Sequence, residues 1–184
     1  MTTAEPETSD SSELHAIPLA SSNDSETGAL DARIDSLAVT RGIMRLFARN
    51  DIWCLPEMPL RGGRRADMMG VDAKGHVIIV EIKTARGDLL GDSKWPDYLE
   101  HCDRFFWGLA SGLDRAPLEH EDYRPDCCGV IVADGYDAEI LRPAPLQPLA
   151  AARRKVEVER LARAALRRHA VVGDDQLAQY FRGE

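Results

Sequence analysis

The chain has 184 residues, 44% hydrophobic and 29% charged, which is ordinary for a globular protein and leaves room for one packed domain plus tails. No apolar run approaches the roughly 20 residues needed to cross a bilayer, and the first residues lack the basic-then-apolar plan of a signal peptide, so a cytoplasmic protein with no membrane association is expected. The net charge of −8 speaks against nucleic acid only at first sight: the first 31 residues hold seven acids and no Lys or Arg, and the remaining 24 acids and 23 bases nearly balance.

Residues 1–29 are rich in Ser, Thr, Asp and Glu with few large apolar side chains, too few to offset the entropy of ordering, and predict a disordered acidic tail. Asp31 can cap a helix over residues 31–50 that carries Ile34, Leu37, Met44 and Phe47 as a stripe. Residues 52–58 read as a strand, and Arg61-Gly62-Gly63-Arg64 as a turn.

A hairpin over residues 64–84 follows and should form the centre of the fold. Its second strand contains Val77, Ile78, Ile79, Val80 and Ile82, an almost unbroken β-branched run of the kind covered on both faces. Side chains alternate along a strand, so Glu81 and Lys83 share one face. If Ala73-Lys74-Gly75 is a three-residue loop with a left-handed glycine, Asp72 pairs with His76 and Asp67 falls opposite Glu81. A two-residue loop would send Asp67 to the other face, but Ala73 and Lys74 are not the residues such a loop prefers.

Two facing carboxylates resist joint ionisation unless a cation lies between them, and a hard oxygen-ligated ion, Mg²⁺ or Mn²⁺, suits them. Lys83 beside them can orient a water, help deprotonate it, and stabilise charge at a phosphorus centre. An Asp, a hairpin, then Glu81-Ile82-Lys83 resembles the PD-(D/E)XK nuclease superfamily, in which the aspartate and glutamate hold the metal and the lysine serves the water. The Ile82 carbonyl is available to complete the shell. That superfamily usually adds a glutamate from the first helix; here Asp35 is that helix's one internal acid, and Glu57 at the end of the next strand is the other candidate.

After the hairpin, Asp92 or Ser93 can cap a short helix with Pro96 in its first turn and Trp95, Leu99 and Cys102 on one side. Phe105 to Leu109 reads as a strand. The stretches LPEMPLRGGRRAD, ADMMGVD and VEIKTARGDLLGDSKWPDYLEHCDRFFW together resemble the MmcB-like DNA repair family over residues 30–141. Asp88, Asp92, Lys94, Tyr98 and Asp103 match that family's pattern beyond the lysine. The resemblance implies that they surround the metal site, with Lys94 and Arg86 towards phosphate and Tyr98 towards the acids or a base. Capping by Asp92, a surface Lys94 and a core role for Trp95 and Tyr98 is the structural alternative. In the preferred register Arg65 faces Lys83 and the cleft.

Residues 114–126 read as a loop, residues 128–133 as a buried strand and residues 138–141 as its returning partner. Residues 149–169 form a helix with Arg153, Arg154, Lys155, Arg160, Arg163, Arg167 and Arg168 against Glu157 and Glu159. It can track a phosphate backbone, or be a solvated face over Val156, Leu161, Ala165 and Leu166. Cys54, Cys102, Cys127 and Cys128 form no CxxC pair, the five histidines show no paired spacing, and no phosphate-binding glycine loop is present.

The expectation is an α/β domain over residues 30–170 with a restriction-endonuclease-like mixed central β-sheet flanked by helices, and a tail over residues 171–184. It is read as a metal-dependent endonuclease-like hydrolase of DNA phosphodiesters, nucleoid-associated, with DNA and other repair proteins as partners. Asp67, Glu81 and Lys83 would be catalytic, and Asp67, Glu81 and Ile82 would hold Mg²⁺ or Mn²⁺. The resemblance supplies the DNA repair role. The alternative is the same fold holding DNA or a repair partner without cutting.

Overall fold

Every side chain of strand β3 (Val77–Lys83) is buried, as its β-branched run requires of a strand covered on both faces. The computed structural model, which describes residues 24–182, places it in a six-stranded sheet with strands in sequence order. Strands β1 (Trp53–Pro59), β2 (Arg65–Val71) and β3 are antiparallel neighbours, β4 (Arg104–Ala110) and β5 (Cys128–Ala133) continue in parallel, and β6 (Ala138–Arg142) closes the sheet antiparallel. This is the expected α/β class with a mixed central sheet. Among the described residues no helix is long and apolar enough to cross a membrane.

The hairpin register follows from its turn. Gly75 has φ +77°, Asp72 N–H and Gly75 N–H bond to the carbonyls of His76 and Asp72, and Val71 pairs with Val77 and Met68 with Val80. This is the three-residue loop, pinned further by the Asp72 carboxylate, which accepts from the amides of Lys74 and His76.

Helix α1 (Asp24–Arg49) covers one face of the sheet. It starts before Asp31, so the part of the predicted tail that is described, residues 24–29, is helical; the rest of that tail lies outside the described residues, as do the side chains of Asp31, Ile34 and Asp35. Its buried stripe is Val39, Ile43, Leu46 and Phe47 against Met68, Ile78, Val80, Ile82, Phe106 and Ile131. Leu37 and Met44, expected in the stripe, are 57% and 38% exposed. Gly42 explains the phase: a Cβ there would lie 2.6 Å from the Asp137 carbonyl oxygen, so the helix meets the β5–β6 end of the sheet through its glycine face.

The opposite face is covered by α2 (Arg86–Gly91), the 3₁₀ helix Trp95–His101 and α3 (Ala151–Gly173), with Leu89, Trp95, Tyr98 and Leu161 packed on Met69, Val77, Ile79, Phe105, Trp107 and Leu109. The 3₁₀ helix has Lys94 at its N-cap with no side-chain cap bond, although Asp92 Oδ1 accepts the Lys94 amide at 3.1 Å. Trp95 belongs to the core, its ring centre 5.6 Å from that of Phe105 in a tilted arrangement and 5.4 Å from that of Trp107 edge-on. On α3 the buried residues are Glu157 and Leu161, while Leu166, expected in the apolar stripe, is exposed. Two 3₁₀ turns, Ala116–Glu119 and Glu121–Tyr123, interrupt the predicted loop between β4 and β5, and α4 (Asp175–Arg182) occupies most of the predicted C-terminal tail.

Candidate active site

The site forms where β1, β2 and β3 lose regular pairing. The β2–β3 ladder runs only as far as Met68 and Val80, and there the Asp67 carboxylate takes the next bond itself, accepting Ile82 N–H at 2.7 Å. On the other side, Met58 pairs with Ala66 and Pro56 with Met68, so Glu57 falls opposite Asp67. Glu57 has φ +54°, a left-handed conformation inside a strand, and Met58 and Ala66 both pack in the same core as Met69. Strict alternation is therefore broken at this pair, and acids come together on three neighbouring strands.

Glu81 and Lys83 share a face, as alternation requires. Lys83 Nζ lies 3.3 Å from Glu81 Oε1, 2.8 Å from Asp92 Oδ2 and 3.6 Å from Asp88 Oδ1, and its side chain is 5% exposed. Burial alone would lower the Lys83 pKa, but the hydrogen bond to Asp92 and the charges of Glu81, Asp92 and Asp88 outweigh it and hold the ammonium above its ordinary value. Burial pushes the Glu81 carboxyl up to about 7, with the Asp67 charge adding to the rise and Lys83 opposing it. Asp67 is also raised, chiefly by burial, against the pull of the Ile82 amide and the Lys83 charge. Burial and then the charges of Glu81 and Asp67 likewise raise the Tyr98 hydroxyl, which donates to the Arg65 carbonyl at 3.2 Å.

Two buried polar atoms among the described residues have no hydrogen-bond partner, Glu81 Oε2 and Trp107 Nε1, and the two residues are direct partners across β3 and β4. Lys83 Nζ lies 5.9 Å from the centre of the Trp107 ring. In the sequence Trp107 is marked only as part of a strand; its pairing with Glu81 depends on the β3–β4 crossover, whose register no local signal sets. Asp67, Glu81 and Lys83 thus converge with Asp88, Asp92 and Tyr98. Among the described residues, no group of three or more His, Cys, Asp or Glu forms a ready-made metal centre.

Other expected site residues have different partners from those expected or lie away from the acids. Arg65 pairs with Glu57 at 2.6 Å instead of reaching Lys83. Arg86 is engaged by Asp114, and Lys94 is exposed. Asp103 lies at the other end of β3. Its carboxylate is fully buried and accepts from Val77 N–H at 2.8 Å, Leu149 N–H at 2.7 Å and the Arg154 guanidinium at 2.5 Å, tying β3, β4 and α3 together. Val77 and Glu81 are separated by about 13 Å of strand, so Asp103 supports the scaffold and does not touch the acids.

A family description, DNA repair protein MmcB-like, matches residues 23–176, which span the sheet, both covering layers and the acid cluster. The chain belongs to the MmcB-like DNA repair protein family. A solved structure, the SPO1766 protein of unknown function from Silicibacter pomeroyi, is 38% identical with a TM-score of 0.69, over 77% of this chain and 93% of that one. No curated protein matches. The family match extends over α3 to residue 176, so the basic helix is part of the MmcB-like unit.

Proposed function

We propose that this MmcB-like chain is a metal-dependent, endonuclease-like hydrolase of DNA phosphodiesters, with an active site of the PD-(D/E)XK kind built on Asp67, Glu81 and Lys83. The observation that carries the reading is the buried Glu81 carboxylate, which has one oxygen without a partner and a second carboxylate, Asp67, close enough to raise its pKa. Glu57, Asp67, Glu81, Asp88 and Asp92 outnumber Lys83 and Arg65 at the site, an imbalance that a divalent cation relieves. Two carboxylates suffice for Mg²⁺, which is commonly held by one or two of them, the rest of its shell being water and substrate phosphate. Asp67 and Glu81 would hold it, with the Ile82 carbonyl beside them.

When bound, such an ion lowers the pKa of water and offsets charge developing on the phosphoryl oxygens. Lys83 remains an ammonium at neutral pH because Asp92, Glu81 and Asp88 hold it there. It therefore donates hydrogen bonds to the attacking water or a phosphoryl oxygen and does not remove a proton. Asp92 and Asp88 fix the ammonium beside Glu81, and Asp67, locked by the Ile82 amide, has little freedom to swing away.

A second reading, the same fold holding DNA or a repair partner without cutting, is favoured by the lack of a third acid ligand among the described residues. Incubation with Mn²⁺ and branched, single-stranded and duplex DNA, alongside Lys83→Ala, separates the two. Hydrolysis requires metal-dependent cutting that falls about 10²–10³-fold in the variant. Binding by both proteins with cutting by neither would leave the non-cleaving module.

A further inference from the structure

An excess of carboxylates repels DNA, so affinity for the polyanion has to arise outside the acid cluster. Arg160, Arg163 and Arg167 recur at intervals of three and four on α3 and therefore share one flank of the helix. With Met58, Pro59 and Leu166 they line a cavity of about 410 Å³. Its wall at Met58 and Pro59 continues directly into Glu57, the residue opposite Asp67, and Arg168 donates to the Glu57 carbonyl at 3.0 Å.

The cavity is built from fixed groups. Glu157 is fully buried, lies 2.8 Å from His101 Nδ1 and takes a bond from Arg160 Nη1 at 2.7 Å, while Arg160 Nη2 donates to the Pro59 carbonyl. Two of the five guanidinium N–H groups are engaged in this way, which fixes the plane and leaves three. Arg163 is exposed and has no hydrogen bond or ion pair among the described residues. The acids of α3 are already engaged, Glu157 as above and Glu159 with Lys155 at 3.7 Å.

We propose that this cavity binds a DNA backbone phosphate and leads the strand from the basic flank of α3 to the acids on β2 and β3. The proposal rests on DNA being the substrate of that site, but its test does not depend on cutting. DNA of both single-stranded and duplex form is titrated by anisotropy against the full chain carrying Glu81→Gln, in chelator, between about 50 and about 200 mM salt. Adding Arg163→Glu is expected to weaken binding about tenfold and to reduce the magnitude of the salt slope by about one, with Arg163→Ala intermediate and melting temperatures unchanged. Lys155→Glu, outside the cavity, removes the same charge from the same helix and should stay within about twofold of its parent.

Equal loss in Lys155→Glu and Arg163→Glu would overturn the proposal, because the effect would then be net charge alone. So would Arg163 variants that bind as their parent does, or a parent that does not bind DNA. A chain that binds with this pattern but fails the Lys83 assay would keep the cavity and lose the hydrolase reading.

Discussion

Glu81→Gln is expected to reduce metal-dependent cutting by 10³-fold or more and at the same time to stabilise the fold above neutral pH. Both effects have one origin. The carboxylate is buried beside Asp67 with one oxygen unpartnered, and its pKa of about 7 records how poorly the protein alone accommodates its charge. A Glu pKa raised above the unfolded value of 4.5 means that the folded chain holds its proton more tightly. Stability from this group is thus complete below about 4.5 and is lost as pH rises towards 7, amounting to about 3 kcal/mol. Glutamine keeps the shape without the charge, so the variant should lose less stability over that window. Asp67, also raised, keeps some slope in both proteins. Urea melts at pH 5 and pH 8 measure the difference. Parallel pH profiles for the two proteins would mean that Glu81 is not a strained carboxylate.

Asp103→Ala is expected to destabilise the chain by about 3–5 kcal/mol, a drop in melting temperature on the order of 10 °C, because removal of one partner leaves the others buried and unpaired. Val77 N–H, Leu149 N–H and the Arg154 guanidinium all converge on this carboxylate. Burial opposes its ionisation, but the bonds from Arg154, Leu149 and Val77 outweigh burial and hold its pKa below the usual carboxylate range. Stability from Asp103 is accordingly present above its unfolded pKa and lost as pH falls through the lower folded value. Asp103→Asn retains part of the geometry and should lose less. A thermal melt of Asp103→Ala within about 2 °C of the parent would show that the start of α3 is held by other contacts.

The centre of the fold was legible because its signals are local. The β-branched run of β3 marks a strand buried on both faces, and a glycine at position 75 fixes a loop length that in turn fixes the Asp67–Glu81 register. Residues whose place depends on a crossover were not. The resemblance, not the spacing, pointed to Asp92 and Asp103 around the site; Asp92 does reach Lys83, from beyond α2, but Asp103, close to it in sequence, is carried to the opposite end of the sheet. Helix α1 misled for a related reason: Leu37 and Met44 compete with Val39, Ile43 and Leu46 for the inner face, and the close approach of Gly42 to Asp137 settles the phase. On α3, Glu157 occupies a buried position that an apolar pattern would not select, since its partners His101 and Arg160 include one that is distant in sequence.

Whether Asp67 and Glu81 form a cation site on neighbouring strands is decided by titrating the chain with Mn²⁺ and following free ion by electron paramagnetic resonance. One Mn²⁺ per chain is predicted for the parent, displaced by Mg²⁺, with loss of that ion in Asp67→Asn and in Glu81→Gln while Arg163→Ala keeps it. A parent that takes up no Mn²⁺, or an ion that survives both substitutions, would contradict the account.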